Sequence, residues 1–83
     1  MNAKQRKQLV AFTDAVHAEV YAAEKQWRYP NPNLAALMEE AGELAQAMLQ
    51  RKSAYEVYRE AVQVAAMAAR CAIEGDPQFK VRL

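Results

Sequence analysis

Leu37-Met38-Glu39-Glu40-Ala41-Gly42-Glu43-Leu44-Ala45 and Tyr58-Arg59-Glu60-Ala61-Val62-Gln63-Val64-Ala65-Ala66-Met67 decide how this chain folds. Both stretches are apolar at helical spacing, and each carries a polar pair three residues apart. The pairs are Glu40 with Glu43 and Glu60 with Gln63. Carboxylates rarely enter a packed interior without a partner. If the two helices pack together, Glu40, Glu43 and Glu60 form a cluster of like charges. Carboxylates ~4 Å apart repel by several kcal/mol at intermediate dielectric, so without a cation at least one should protonate. Oxygen ligands favour a hard cation, Mg²⁺ or Mn²⁺.

Helical geometry separates the glutamates. With Leu37 as origin and about 100° per residue, Leu37, Ala41, Leu44, Ala45 and Met48 share one apolar arc. Glu40 falls inside that arc and Glu43 at its edge. Glu39 points to the opposite, polar side. This helix is expected over about 34–51. Ser53-Ala54-Tyr55-Glu56 is a capping-box pattern that opens the next helix, over about 54–74. Gly75 fits the position just past its end, and Pro77 blocks continuation. Its polar strip is Glu56, Arg59, Gln63, Arg70 and Glu74. Glu60 stands off that strip, between Met67 and Cys71. The connection from Gln50 to Ser53 is short, so the two helices should be antiparallel neighbours.

Upstream, Leu9, Phe12, Val16, Val20, Ala23 and Trp27 make a narrow stripe on a first helix over about 4–27. Arg28-Tyr29-Pro30-Asn31-Pro32-Asn33 ends it, and either Asn could cap the helix that follows. The tail from 76 to 83 shows no strong pattern. The expected fold is all-α: one domain over 1–83, a three-helix bundle completed by oligomerisation.

Composition agrees with this. A domain of 83 residues has a marginal core of its own, yet 53% of the chain is apolar. That is more apolar surface than one small monomer can hide, so self-association is expected. A net charge of +1 gives no broad basic field for nucleic acid. Cys71 is the single cysteine, which precludes an internal disulfide framework and suits a reducing cytosol. The basic start is not followed by an uninterrupted apolar run, so no signal peptide is expected, and no stretch is apolar enough to span a bilayer.

The spacing Glu39-Glu40-Ala41-Gly42-Glu43-Leu44 followed by Glu60-Ala61-Val62-Gln63 resembles the MazG-type, all-α nucleoside triphosphate pyrophosphohydrolases. That family carries E-E-x-x-E on one helix and E-x-x-D on the next. The resemblance covers about Trp27 to Glu74, including the aromatic and the Pro/Asn loop before E-E-x-G-E-L. It implies Mg²⁺-dependent hydrolysis of a nucleoside triphosphate to the monophosphate and pyrophosphate, in a cytoplasmic homodimer or homotetramer whose paired helices complete a four-helix core. The implied metal ligands are Glu40, Glu43 and Glu60. Glu39 matches the family's additional glutamate, acting through water beside Glu40. The departures are Gln63, where the family has Asp, and the lack of the fourth helix that many members carry. Gln63 can offer an amide oxygen but no charge.

Each candidate has a plainer alternative. The three glutamates could pair with Arg59, Arg70 or Lys52. Gln63 could be a surface amide. Arg70 could reach a phosphate or be a solvated or interface arginine. Trp27 and Tyr29 could stack on a nucleobase, or Trp27 could simply end the first apolar stripe. His17 fits an exposed face, Cys71 a packing position, and Met38, Met48 and Met67 the core. The alternatives for the whole chain are a non-catalytic MazG-like module that binds a nucleotide or partner protein, and an unrelated helical assembly protein.

Overall fold

The computed structural model of the chain describes residues 1–27 and 31–80. Three helices account for most of them: α1 over Ala3–Gln26, α2 over Asn33–Leu49 and α3 over Ala54–Glu74. A single 3₁₀ turn, Pro77–Phe79, follows. Helix α3 is central. Helices α1 and α2 both pack on it and make no contact with each other. The expected three-helix, all-α arrangement is present, with α1 on the outside.

Local chemistry sets the helix ends. Asn2 and Gln5 form a capping box that starts α1: the Gln5 N–H donates to Asn2 Oδ1 at 2.8 Å, and the Asn2 N–H donates to Gln5 Oε1 at 2.9 Å. At α3, Ser53 Oγ accepts from the Glu56 N–H at 3.1 Å. Gly75 closes the helix at φ 71°, a region that favours glycine. Helix α2 ends two residues before the expected Arg51, because Arg51 itself turns left-handed at φ 53°. That turn sends the Lys52 N–H back to the Ala47 carbonyl at 2.9 Å. The hairpin between α2 and α3 follows from it.

The start of α2 departs from expectation. Pro32 occupies the cap position, with no side-chain capping bond. Asn31 turns back to donate to the Trp27 carbonyl. The cap arrives from the far end of the chain. Asp76 is buried, and its Oδ2 accepts from the Leu34 N–H at 2.8 Å. Its Oδ1 accepts from the Gln78 N–H at 2.9 Å. Beside it, buried Asn33 donates its side-chain amide to the Gly75 carbonyl at 2.9 Å.

The apolar core is thin. Ala47, Val62 and Ala66 are its buried members, and α1 buries no residue fully. Phe12 meets Tyr58 edge to face, with ring centroids 5.8 Å apart. Met38 and Met48, expected in the core, are 63% and 62% exposed. They lie on the face of α2 turned away from α3. No helix among the described residues is long and apolar enough to cross a membrane.

Candidate metal centre

The antiparallel hairpin brings the two polar motifs to the same height. Glu40 and Glu43 stand one turn apart on α2, as i, i+3 neighbours must. Glu60 faces them from α3. One carboxylate oxygen from each of the three lies within 4.8 Å of the others. Glu40 and Glu60 are half-buried, whereas Glu43 is exposed at the groove's edge.

Among the described residues no lysine or arginine forms an ion pair with them; the ion pair found is Arg70 with Glu74. Oε2 of Glu40 and Oε2 of Glu60 are both shielded from solvent and accept no hydrogen bond among the described residues. Burial pushes the Glu40 carboxyl up to about 7, and its neighbours Glu43, Glu60 and Glu39 add to that rise. Burial also raises Glu60, with Glu43 as the next cause and Arg59 pulling the other way. Glu43 therefore acts on both of its neighbours in the cluster. Three hard oxygen donors converging on one point, two with shielded unpartnered oxygens, are a donor set that fits Mg²⁺ or Mn²⁺.

A groove of about 580 Å³ opens beside the cluster toward the α2–α3 turn. Glu43 and Glu60 form part of its wall, with Lys52, Tyr55, Glu56 and Arg59 nearer the turn. The Arg59 guanidinium carbon lies 5.9 Å from the centre of the Tyr55 ring. Tyr55 was not among the sequence candidates. Its i, i+4 spacing from Arg59 was the signal that could have found it.

The remaining candidates fall elsewhere. Glu39 is exposed on the polar side of α2, near enough to raise Glu40 but outside the converging trio. Gln63 is half-buried one turn beyond Glu60 and does not line the groove. Arg70 is not solvated: its side chain is 3% exposed. Its Nε donates to Glu74 Oε2 at 2.7 Å and its Nη2 donates to the Trp27 carbonyl. Ten residues along α3 separate it from Glu60, about 15 Å of helix, so it is held at the far end of the hairpin. Trp27 caps α1 there, with 56% of its surface exposed. Tyr29 lies outside the described residues. His17 is exposed as expected, and Cys71 is a half-buried thiol raised by burial and by Asp76 and Glu74.

Comparison with known protein families, with curated proteins and with solved structures finds no match for this chain.

Proposed function

We propose that the protein is a MazG-like nucleoside triphosphate pyrophosphohydrolase, acting in the cytoplasm as a homodimer or homotetramer. Glu40, Glu43 and Glu60 hold Mg²⁺, or Mn²⁺ in its place, and Gln63 supplies a neutral oxygen as a fourth ligand. A divalent cation there would screen the substrate's phosphates and make a bound water more acidic. The observation that carries the proposal is the convergence of three carboxylates within 4.8 Å, none of them in an ion pair among the described residues.

The chain's own residues then have separable tasks. Glu40 and Glu60 place negative oxygens where phosphate-bound cation charge is needed. Glu39, on the solvent side of Glu40, takes a proton from the attacking water through a second water. The water oxygen bonds to the α-phosphorus, the bond to the bridging oxygen breaks, and pyrophosphate leaves. The groove toward Lys52 and Arg59 offers positive charge to the departing phosphates. Trp27 offers an exposed aromatic face for a base, the role that the resemblance also gives to Tyr29.

One feature favours a second reading. Gln63 stands where an acidic residue would complete four carboxylates, and its neutrality suits a non-catalytic module that binds a nucleotide or a partner protein. Pyrophosphate release measured with Mg²⁺ across a panel of canonical and modified nucleoside triphosphates separates the two. Turnover that disappears in Glu40→Ala supports the hydrolase. Nucleotide binding without turnover supports the module, and turnover unchanged by Glu40→Ala removes the site.

A further inference from the structure

The groove beside the acidic cluster is larger than a leaving pyrophosphate needs. From Glu60 it runs to Ser53 at the α2–α3 turn, seven residues of α3 and about 10 Å of helix. Its volume of about 580 Å³ lies within the range of about 300–1,000 Å³ found for sites that enclose a drug-sized ligand. A pyrophosphate, which has no ring, fills a small part of that space.

The turn end of the groove carries groups that suit a nucleobase. Tyr55 is 69% exposed, and the Arg59 guanidinium carbon sits 5.9 Å from its ring centre. Aromatic rings and guanidinium planes are the surfaces on which unpaired bases stack. From the α2 wall, Gln46 and Gln50 line the same groove one helical turn apart. Among the described residues neither side-chain amide makes a hydrogen bond. An amide offers donor and acceptor together, which is the match for a base edge. Lys52 and Arg59 add positive charge, and neither is in an ion pair among the described residues.

We propose that the turn end of this groove binds a second nucleobase, carried beyond the leaving phosphates, so that the substrate class extends to dinucleoside polyphosphates. The inference rests on the metal centre proposed above and adds Tyr55, Gln46 and Gln50 to it. With the reacting phosphate at the glutamate end, the leaving phosphates extend along Lys52 and Arg59, and the nucleoside beyond them lies over Tyr55. The water oxygen bonds to the first α-phosphorus, and the bond to its bridging oxygen breaks. That oxygen leaves with the second nucleoside and the remaining phosphates, and the water's proton passes by way of Glu39 to solvent. A dinucleoside tetraphosphate thus yields a nucleoside monophosphate and a nucleoside triphosphate. Charge sets the order of binding. Glu43, Glu56 and Glu60 outnumber Lys52 and Arg59 along the groove, so a polyphosphate enters the metal-loaded groove and not the metal-free one.

Calorimetric titration of the full chain in the presence of Mn²⁺ tests the proposal. The probes are diadenosine tetraphosphate and ATP, each with methylene in place of the α,β-bridging oxygen, so that neither is cleaved. Adenine is chosen because a glutamine amide pairs with its N6 and N7 edge. The wild-type chain is expected to bind the dinucleoside probe roughly tenfold tighter, within what one base stacked on an aromatic side chain contributes. Tyr55→Ala is expected to bring the two affinities together, and Tyr55→Phe to keep them apart. A second measurement needs no variant: with Mg²⁺, the Tyr55 ring protons of the wild type should shift upfield on adding the dinucleoside probe and stay in place with the ATP probe. Equal affinities in the wild type, a gap that survives Tyr55→Ala, or ring protons indifferent to the dinucleoside probe overturn the proposal. Mn²⁺ titrated alone reports on the glutamates. Probes that bind alike to a chain holding Mn²⁺ remove this site and leave the metal centre, whereas a chain that takes up no Mn²⁺ removes both.

Discussion

The carboxylate of Asp76 caps a helix that begins 43 residues earlier, accepting from the Leu34 N–H at 2.8 Å. The first turn of α2 has no acidic residue and no local side-chain cap of its own. Helix N-termini leave backbone donors unsatisfied and carry partial positive charge, so a buried carboxylate there does two jobs. Asp76→Ala should lower stability by about 1–2 kcal/mol. At roughly 4–8 °C per kcal/mol for a domain of this size, the loss is easily seen in a thermal melt. Asp76→Asn should recover part of it, because the amide oxygen can still accept. An unchanged melting temperature in Asp76→Ala would show that water replaces the cap without cost.

The raised Glu40 carboxyl makes a prediction about pH. Its folded value is about 7, against an ordinary value of 4.5. Between these values the folded chain holds a proton that the unfolded chain has released. Stability from this group is therefore greatest below about pH 4.5 and is lost as pH rises through 7. Glu60 shifts in the same direction and adds to the trend. Without divalent metal, the melting temperature should fall by several degrees from pH 5 to pH 8. Mn²⁺ should raise it more at pH 8 than at pH 5, because ionised carboxylates bind the ion. A metal-free melting temperature that rises across this range would contradict the clustering of the three glutamates.

Glu40→Gln separates repulsion from ligation. The amide is neutral at every pH, as the protonated carboxyl is at pH 5. The variant should match wild type at pH 5, exceed it at pH 8 without metal, and lose most of the stabilisation by Mn²⁺. Thermal melts with and without the ion check all three outcomes together. A variant that still gains the full wild-type increment from Mn²⁺ would place the ion elsewhere.

Local signals explain what could be seen in advance. Helix α3 begins and ends where Ser53 and Gly75 mark it, because both act within a turn of their own position. The acidic trio was visible because i, i+3 spacing and a short hairpin leave little freedom in where side chains meet. The start of α1 is also written locally, in Asn2 and Gln5, and lies one residue before the expected start because the apolar stripe begins only at Leu9. The early end of α2 depends on Arg51 taking a left-handed conformation usually given to glycine. The cap from Asp76 and the tie from Arg70 to Trp27 join residues more than 40 positions apart. No periodicity in a single sequence encodes such pairs. Exposed Met38 and Met48 looked like core because their spacing records an apolar face without saying what covers it.

Gln63 gives the sharpest test of the proposed ligand set. It follows Glu60 by three residues, as Glu43 follows Glu40, yet it brings no charge. It is half-buried and stands outside the groove wall. If its amide oxygen turns toward the trio when a cation is bound, Gln63→Asp adds a fourth carboxylate to the ligand set. Mn²⁺ should then bind roughly tenfold tighter, a gain of about 1.4 kcal/mol, measured by calorimetric titration near pH 8. Pyrophosphate release should rise in parallel if the site is catalytic. In the absence of metal the same variant should melt at a lower temperature than wild type, because a further negative charge joins an unbalanced cluster. Unchanged Mn²⁺ affinity and an unchanged metal-free melt would together show that position 63 stands apart from the glutamates, leaving three carboxylates as the complete protein ligand set.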